Sequence, residues 1–374
     1  MKANGTVHTR VLRTVLPSHL PALYSPLSKI IACSIDDEIG STKSHDGNPW
    51  IPIHVFEVAK KVFTAANALV LFGPELASNN KFLETALDYV EQVYFTAEIL
   101  RLIPSFTHPL VAPILMRKHG SASRMMEYII PVVQERIRCS KDKSAAYKSG
   151  QIPKDCIQFF VDANTRGRHD DWTSTKIVQV LLGIWFAGVH QLSITGVHTL
   201  QNLCQYKEYV EVLRDELLPI LDSTIKDAHK SHISTSEESA KRLDNAPLLD
   251  AFLKESSRLL PSDSISVRRK VLRDFAFRDG TRLLPGDVAC VPSQAIMLQE
   301  CIYPKAEKFL PRRFIECENN DALELTGTLD EQRKCSKSRF CDANLQYPIW
   351  GLGKHSWAVL RLYGPENLPR TYAY

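Results

Sequence analysis

Residues 247–260 read Pro-Leu-Leu-Asp-Ala-Phe-Leu-Lys-Glu-Ser-Ser-Arg-Leu-Leu, and the fold turns on the run Glu255-Ser256-Ser257-Arg258 inside them. The apolar residues recur at helical spacing, and residues three apart on a helix are neighbours, so Glu255 and Arg258 can pair side by side. Taken alone this is an ordinary helix salt bridge. Further along stands Phe309-Leu310-Pro311-Arg312-Arg313-Phe314, where a second arginine follows a proline that fixes the local turn. A carboxylate clamped between two guanidinium forks would lock a helix to an irregular segment through charge-assisted bonds.

Outward from this pair, the pattern after Pro261 changes to short β-like runs at Ile265 to Val271, Phe275 to Phe277 and Val288 to Pro292. Asp279-Gly280 and Pro285-Gly286 punctuate them, which predicts a small sheet. Beyond Glu300 the chain is rich in Pro, Gly, Cys and charge and reads as irregular. Upstream, Thr173 and Ser174 cap an apolar-periodic helix that runs to about Leu203. Its most apolar stretch, Ile177 to Val189, reads as too short and interrupted for a membrane span and so as a buried helix. From Val55 to Gln134 the spacing is helical, with Pro104, Pro109 and Pro113 expected to break it into separate helices. The charged segment Lys141 to Gly150 is a candidate domain boundary, and Ser231 to Asn245 reads as an exposed linker.

Composition narrows the function classes. With 374 residues and 44% apolar content the chain can bury a large core, and a net charge of +4 from interspersed Lys, Arg, Asp and Glu offers no basic face for nucleic acid or anionic lipid. Small-molecule chemistry is favoured. The cysteines (Cys33, Cys139, Cys156, Cys204, Cys290, Cys301, Cys317, Cys335 and Cys341) form no CxxC pair and no zinc spacing, which suits a reduced, intracellular chain. Met1 to Thr14 is polar, without the apolar core of a signal peptide.

The motifs at Glu255 to Arg258 and Phe309 to Phe314 resemble the ExxR and PxRF signatures of the cytochrome P-450 (heme-thiolate monooxygenase) family. Between them, Arg269-Lys270-Val271-Leu272-Arg273-Asp274 followed by Asp279-Gly280-Thr281 and Pro285-Gly286-Asp287 is similar to that family's small-sheet segment. Phe186-Ala187-Gly188-Val189-His190-Gln191 resembles its oxygen-binding helix, and Tyr209 to Glu216 the helix that follows. Phe72-Gly73-Pro74-Glu75-Leu76 is similar to a pattern of a fungal branch whose members oxidise terpenoids and other secondary metabolites. The resemblance runs from about Val7 to Ser356. It implies a mainly α fold with a small β-sheet region (α+β), built as one truncated domain over residues 1–374. Residues 1–260 would be mostly helical and 261–374 the small sheet and irregular heme-loop region. By the same resemblance Glu255, Arg258 and Arg313 form a structural triad under the heme loop, and Arg269, or Arg268, reaches a heme propionate.

The family's heme loop reads F-G-x-G-x-[H/R]-x-C-x-G, and the matching residues are Trp350-Gly351-Leu352-Gly353-Lys354-His355-Ser356-Trp357-Ala358-Val359. Gly351 and Gly353 would let the backbone pass under a porphyrin, and His355 could bond a propionate. Trp357 stands where the thiolate should be, and an indole N–H is a donor with no in-plane lone pair for a metal. The family's heme b is therefore not expected in thiolate form. Reading Trp357 to Tyr363 one base later is compatible with Gly-Arg-Phe-Phe-Ala, a run the family shows just after its Cys-Pro, so 358–374 is expected to be an out-of-frame tail. The catalytic acid or amide and Thr of the oxygen-binding helix correspond to His190 and Gln191. His190 reads equally as a core residue. The chain starts near the family's third helix, so its membrane anchor is expected to be absent. In the family the partners are a small hydrophobic substrate and an NADPH-cytochrome reductase at the endoplasmic-reticulum membrane; this chain as written reads as cytoplasmic. Three readings stay open: a degenerate, inactive monooxygenase, an active one whose gene record is wrong at the heme loop, and a heme-less scaffold or binding protein.

Overall fold

A computed structural model describes residues 6–40, 52–142, 153–166, 172–228, 242–315 and 338–351. Helix dominates as far as Leu259, and small sheets follow. Helices α1 (Thr6–Arg10) and α2 (Leu16–Gly40) are joined by a π-helical turn at Val11–Val15. Then come α3 (Val55–Phe72), α4 (Pro74–Ala77), α5 (Asn80–Leu102), α6 (His108–His119), α7 (Ser121–Lys141) and α8 (Cys156–Arg166). The next helices are α9 (Ser174–Gln205), α10 (Glu208–Ala228) and α11 (Pro247–Leu259).

Proline does not divide the helices quite as the spacing suggests. Pro104 stands before the 3₁₀ turn Ser105–Thr107, and Pro109 lies in the first turn of α6, where its missing N–H has no intrahelical partner anyway. Pro113, expected to break the run, lies inside α6. The helix continues past it at the cost of one backbone bond.

The chain forms two compact units, residues 1–197 and 198–374, divided inside α9 and not at the charged segment after Lys141. In the first unit α3, α5, α7, α8 and the start of α9 share a core of Val62, Leu69, Phe82, Ile129, Phe160 and Ile177. Trp185 is fully buried and donates its indole N–H to the Ala86 carbonyl at 2.9 Å. Gly73 joins α3 to α4 at φ +91°, where a Cβ would also run into the Asp155 carboxylate, so glycine is required twice over. Asp155 itself pairs with Arg136 at 3.3 Å.

α9 ends at Gln205, near the Leu203 that the periodicity predicts, so the apolar stretch read as too short for a membrane span lies within a longer helix. At 32 residues it is long and apolar enough to cross a membrane, although Ile177, Val178, Leu181, Trp185 and Val189 are buried within the first unit.

In the second unit, the N-terminus of α11 is closed from α10: the Glu216 carboxylate accepts from the Leu248 and Leu249 amides at 2.8 and 2.9 Å. These are among the first N–H groups of the helix and have no intrahelical partner. Strands β1 (Ser266–Lys270), β2 (Phe275–Ala276), β3 (Arg282–Leu283) and β4 (Val288–Val291) form two antiparallel pairs, β1 with β4 and β2 with β3. Ser266 opposes Val291 while Arg269 opposes Ala289, so β1 carries one extra residue, a bulge. Val267 absorbs it at φ +51°, a strained position for a β-branched residue. Helix α12 (Ser293–Met297) follows directly.

Candidate functional site

α11 has a strongly one-sided apolar pattern, and its buried side also carries Glu255 and Arg258, neither of which has any solvent exposure. Such burial demands a partner for every lone pair and proton. Glu255 meets that demand with four donors. Its Oε2 accepts from Arg258 Nε at 2.7 Å, and its Oε1 from Arg258 Nη2 at 2.9 Å, the Leu310 amide at 2.8 Å and Arg313 Nε at 3.2 Å.

Further N–H groups of the two guanidinium ions reach backbone carbonyls. Arg258 donates to Met297 at 2.6 Å and Lys308 at 3.3 Å, and Arg313 to Pro304 at 2.9 Å and Lys305 at 3.3 Å. The Tyr303 ring lies 5.0 Å from the Arg258 guanidinium carbon and 5.9 Å from that of Arg313, a cation–π arrangement. Burial lowers the pKa of Arg313 and pushes the Tyr303 hydroxyl up to about 12. The three residues that the resemblance assigns to a structural triad therefore meet at one point, where α11, the turn before Phe309 and the 3₁₀ turn Pro311–Phe314 are tied together.

A second group on α11 escaped the sequence reading. Lys254 is buried, and Asp250 accepts from the Phe340 amide at 2.8 Å. In sequence the two look like an exposed i,i+4 ion pair, and nothing in their spacing says that the chain returns to cover them. Segment 338–351 does so, and it closes on itself where Trp350 donates to the Phe340 carbonyl at 2.7 Å. Its last described residue is Gly351 at φ +71°. Gly353, His355, Trp357 and the tail 358–374 lie outside the described residues.

Arg269 is exposed on β1 and donates to the carbonyl of its neighbour Arg268 at 2.8 Å. It borders an open depression of about 330 Å³ that Arg273, Phe275, Phe277 and Leu283 also line. It takes no part in the Glu255 network.

His190 sits in the first unit. Its ring lies 4.8 Å from that of Tyr94, edge-on, and 6.4 Å from that of Phe56, stacked. Its Nε2 is buried with no hydrogen-bond partner among the described residues, and burial, then the charge of Lys60, lowers its pKa. Lys60 is itself buried and paired with Glu57 at 2.9 Å and Glu91 at 2.8 Å. Gln191 is exposed. The neighbourhood of His190 thus favours a neutral imidazole.

Comparison with known proteins gives one consistent answer. The family model described as cytochrome P-450 matches residues 3–325. The cytochrome P-450 monooxygenase olcJ of Penicillium canescens is 29% identical over 297 residues, 78% of this chain and 52% of the relative. Cytochrome P-450 monooxygenase 151 of Postia placenta is 25% identical over 350 residues, 94% of this chain and 64% of the relative. The chain thus spans between half and two thirds of the length of these curated relatives. Among solved structures, the heme domain of cytochrome P-450DA superposes with a TM-score of 0.63 at 12% identity, covering 95% of this chain and 68% of that one, which speaks for the fold alone.

Proposed function

The chain belongs to the cytochrome P-450 family, and from that premise we propose that it is a degenerate monooxygenase, one that keeps the scaffold beneath the heme loop and has lost the thiolate. The observation that carries this reading is the contrast between the Glu255–Arg258–Arg313 network, in which Glu255 accepts from four donors, and Trp357 at the ligand position of the loop. A network of that kind supports a loop that has to be held rigidly.

The donor set present does not fit the family's heme b as a thiolate complex. Trp357 offers only an N–H donor. Cys341, described just upstream of the glycine turn, has its thiol pushed up to about 11 by burial, so no thiolate stands there. In the undamaged relative the substrate would be a small apolar molecule of fungal secondary metabolism, of the terpenoid type, with electrons from an NADPH-dependent reductase. The resemblance around Phe72-Gly73-Pro74 supports that substrate class. A second reading, an active enzyme whose sequence record slipped one base, is favoured by the shifted frame from Trp357 to Tyr363. DNA sequence across codons 356–358 decides between the two.

The test of the first reading is a spectrum. Purified, reduced and exposed to carbon monoxide, the chain is expected to give no thiolate-type Soret band. Such a band from this sequence would overturn the inactive reading.

A further inference from the structure

Lys254 is 1% exposed, yet no carboxylate among the described residues is bonded to it. Its ammonium donates to the Arg339 carbonyl at 2.8 Å and to the Ser338 hydroxyl. The rings of Tyr347 and Phe314 stand 4.7 and 4.9 Å from it. Among the described residues the charged groups near it are engaged elsewhere: Asp250 holds the Phe340 amide, Asp342 accepts from the Arg339 amide at 2.8 Å, Arg339 pairs with Asp244 at 3.3 Å, and the Cys341 thiol is neutral. Burial accordingly pushes the Lys254 ammonium down to about 8. An apolar residue of similar volume would avoid this cost and fill the same space. What it could not supply is direction. Lys254 grips residues 338 and 339, Asp250 one turn earlier grips residue 340, and the Tyr347 hydroxyl returns to the Lys254 carbonyl at 3.5 Å. Slippage of 338–340 along α11 would move Trp350, which is bonded to the Phe340 carbonyl, and with it Gly351.

We propose that Lys254 is a positioning residue for segment 338–350: from inside the core the N–H donors on its Nζ set the register of that segment on α11. The assignment stands whether or not iron is bound, so it survives failure of the inactive-monooxygenase reading.

Hydrogen exchange on the full chain tests it. In Lys254→Met the Phe340 and Tyr347 amides are expected to exchange about tenfold faster, the effect of one lost hydrogen bond. The Leu310 amide, held by Glu255, stays protected and the melting midpoint is not lowered, because a buried charge has been removed with the bond. The wild-type pH series needs no variant. A lysine that titrates near 8 when docked and near 10.5 when released favours the docked state increasingly as pH rises between those values. After correction for intrinsic rates, exchange at Phe340 should therefore slow over that range, and in Lys254→Met this trend should vanish. Two results would overturn the assignment: a flat wild-type profile, or a Lys254→Met chain in which all amides loosen together and the midpoint falls, as for any core contact.

Discussion

The surroundings of Glu255 and the strands from Ser266 to Val291 lie close in sequence and are both rich in arginine, yet the two regions treat their cations in opposite ways. At Glu255 the buried Arg258 and the partly buried Arg313 are held against a carboxylate and backbone carbonyls. On β1 the consecutive Arg268, Arg269 and Lys270 are exposed, and Arg269 turns back on its own neighbour. A buried cation has one arrangement that satisfies it, since an unpaired charge there costs several kcal/mol, whereas an exposed one has many arrangements of nearly equal energy. The first region is consequently fixed by its chemistry, and the second is free to be set by whatever lies against it.

Removing the hub of the buried region should have the largest effect. In Glu255→Ala, Arg258 and Arg313 are left facing one another with the Leu310 amide also unpaired. Loss of one partner from a buried ion network costs roughly 3–5 kcal/mol. Denaturant unfolding should show a drop of that order without any heme present. A loss below about 1 kcal/mol, the worth of a surface pair, would erase the contrast between the two regions.

Asp155 sharpens the comparison, because it is a buried carboxylate with poorer partners. It is 1% exposed and caps α8, accepting from the Gln158 amide at 2.9 Å, but Arg136 stands 3.3 Å away in a single contact. Burial outweighs that contact and raises its pKa from 3.8 to about 6. The folded state therefore binds the proton more tightly than the unfolded chain. The stability this confers is fully present below about pH 4 and is lost as pH rises through about 6, on the order of 2–3 kcal/mol. Asp155→Asn keeps the cap and should flatten that part of the pH–stability curve. An unchanged slope in the variant would mean that Arg136 compensates Asp155 as fully as the arginines do Glu255.

The same contrast explains how much could be read in advance. The helix starting near Ser174, the helix at Pro247 and three of the strands were legible because apolar periodicity and turn residues are local signals. The meeting of Glu255 with Arg313 was not local, and it was accessible only through motif resemblance. Lys254 was missed because its sequence neighbours suggest solvent, and its burial depends on a segment that returns much later in the chain. β3 is too short to show alternation, and the bulge at Val267 adds one residue to β1. Counting alternate residues from Ile265 therefore fails to say which of Arg268 and Arg269 faces which side, and that assignment stayed open for a geometric reason.

That open pair supplies the smallest effect. Arg269 opposes Ala289 across β1 and β4, is exposed, and bonds to the carbonyl of the adjacent residue, a contact that closes no loop between elements. Replacing an exposed side chain of this kind usually changes stability by no more than about 0.5 kcal/mol. Arg269→Ala and Arg268→Ala should each unfold within that margin of the parent in the same denaturant series used for Glu255→Ala. If the exposed arginines are interchangeable, the two variants should also agree with each other. A loss of about 2 kcal/mol in one and not the other would show that β1 holds that arginine against a specific partner, and the exposed region would then belong with the buried one.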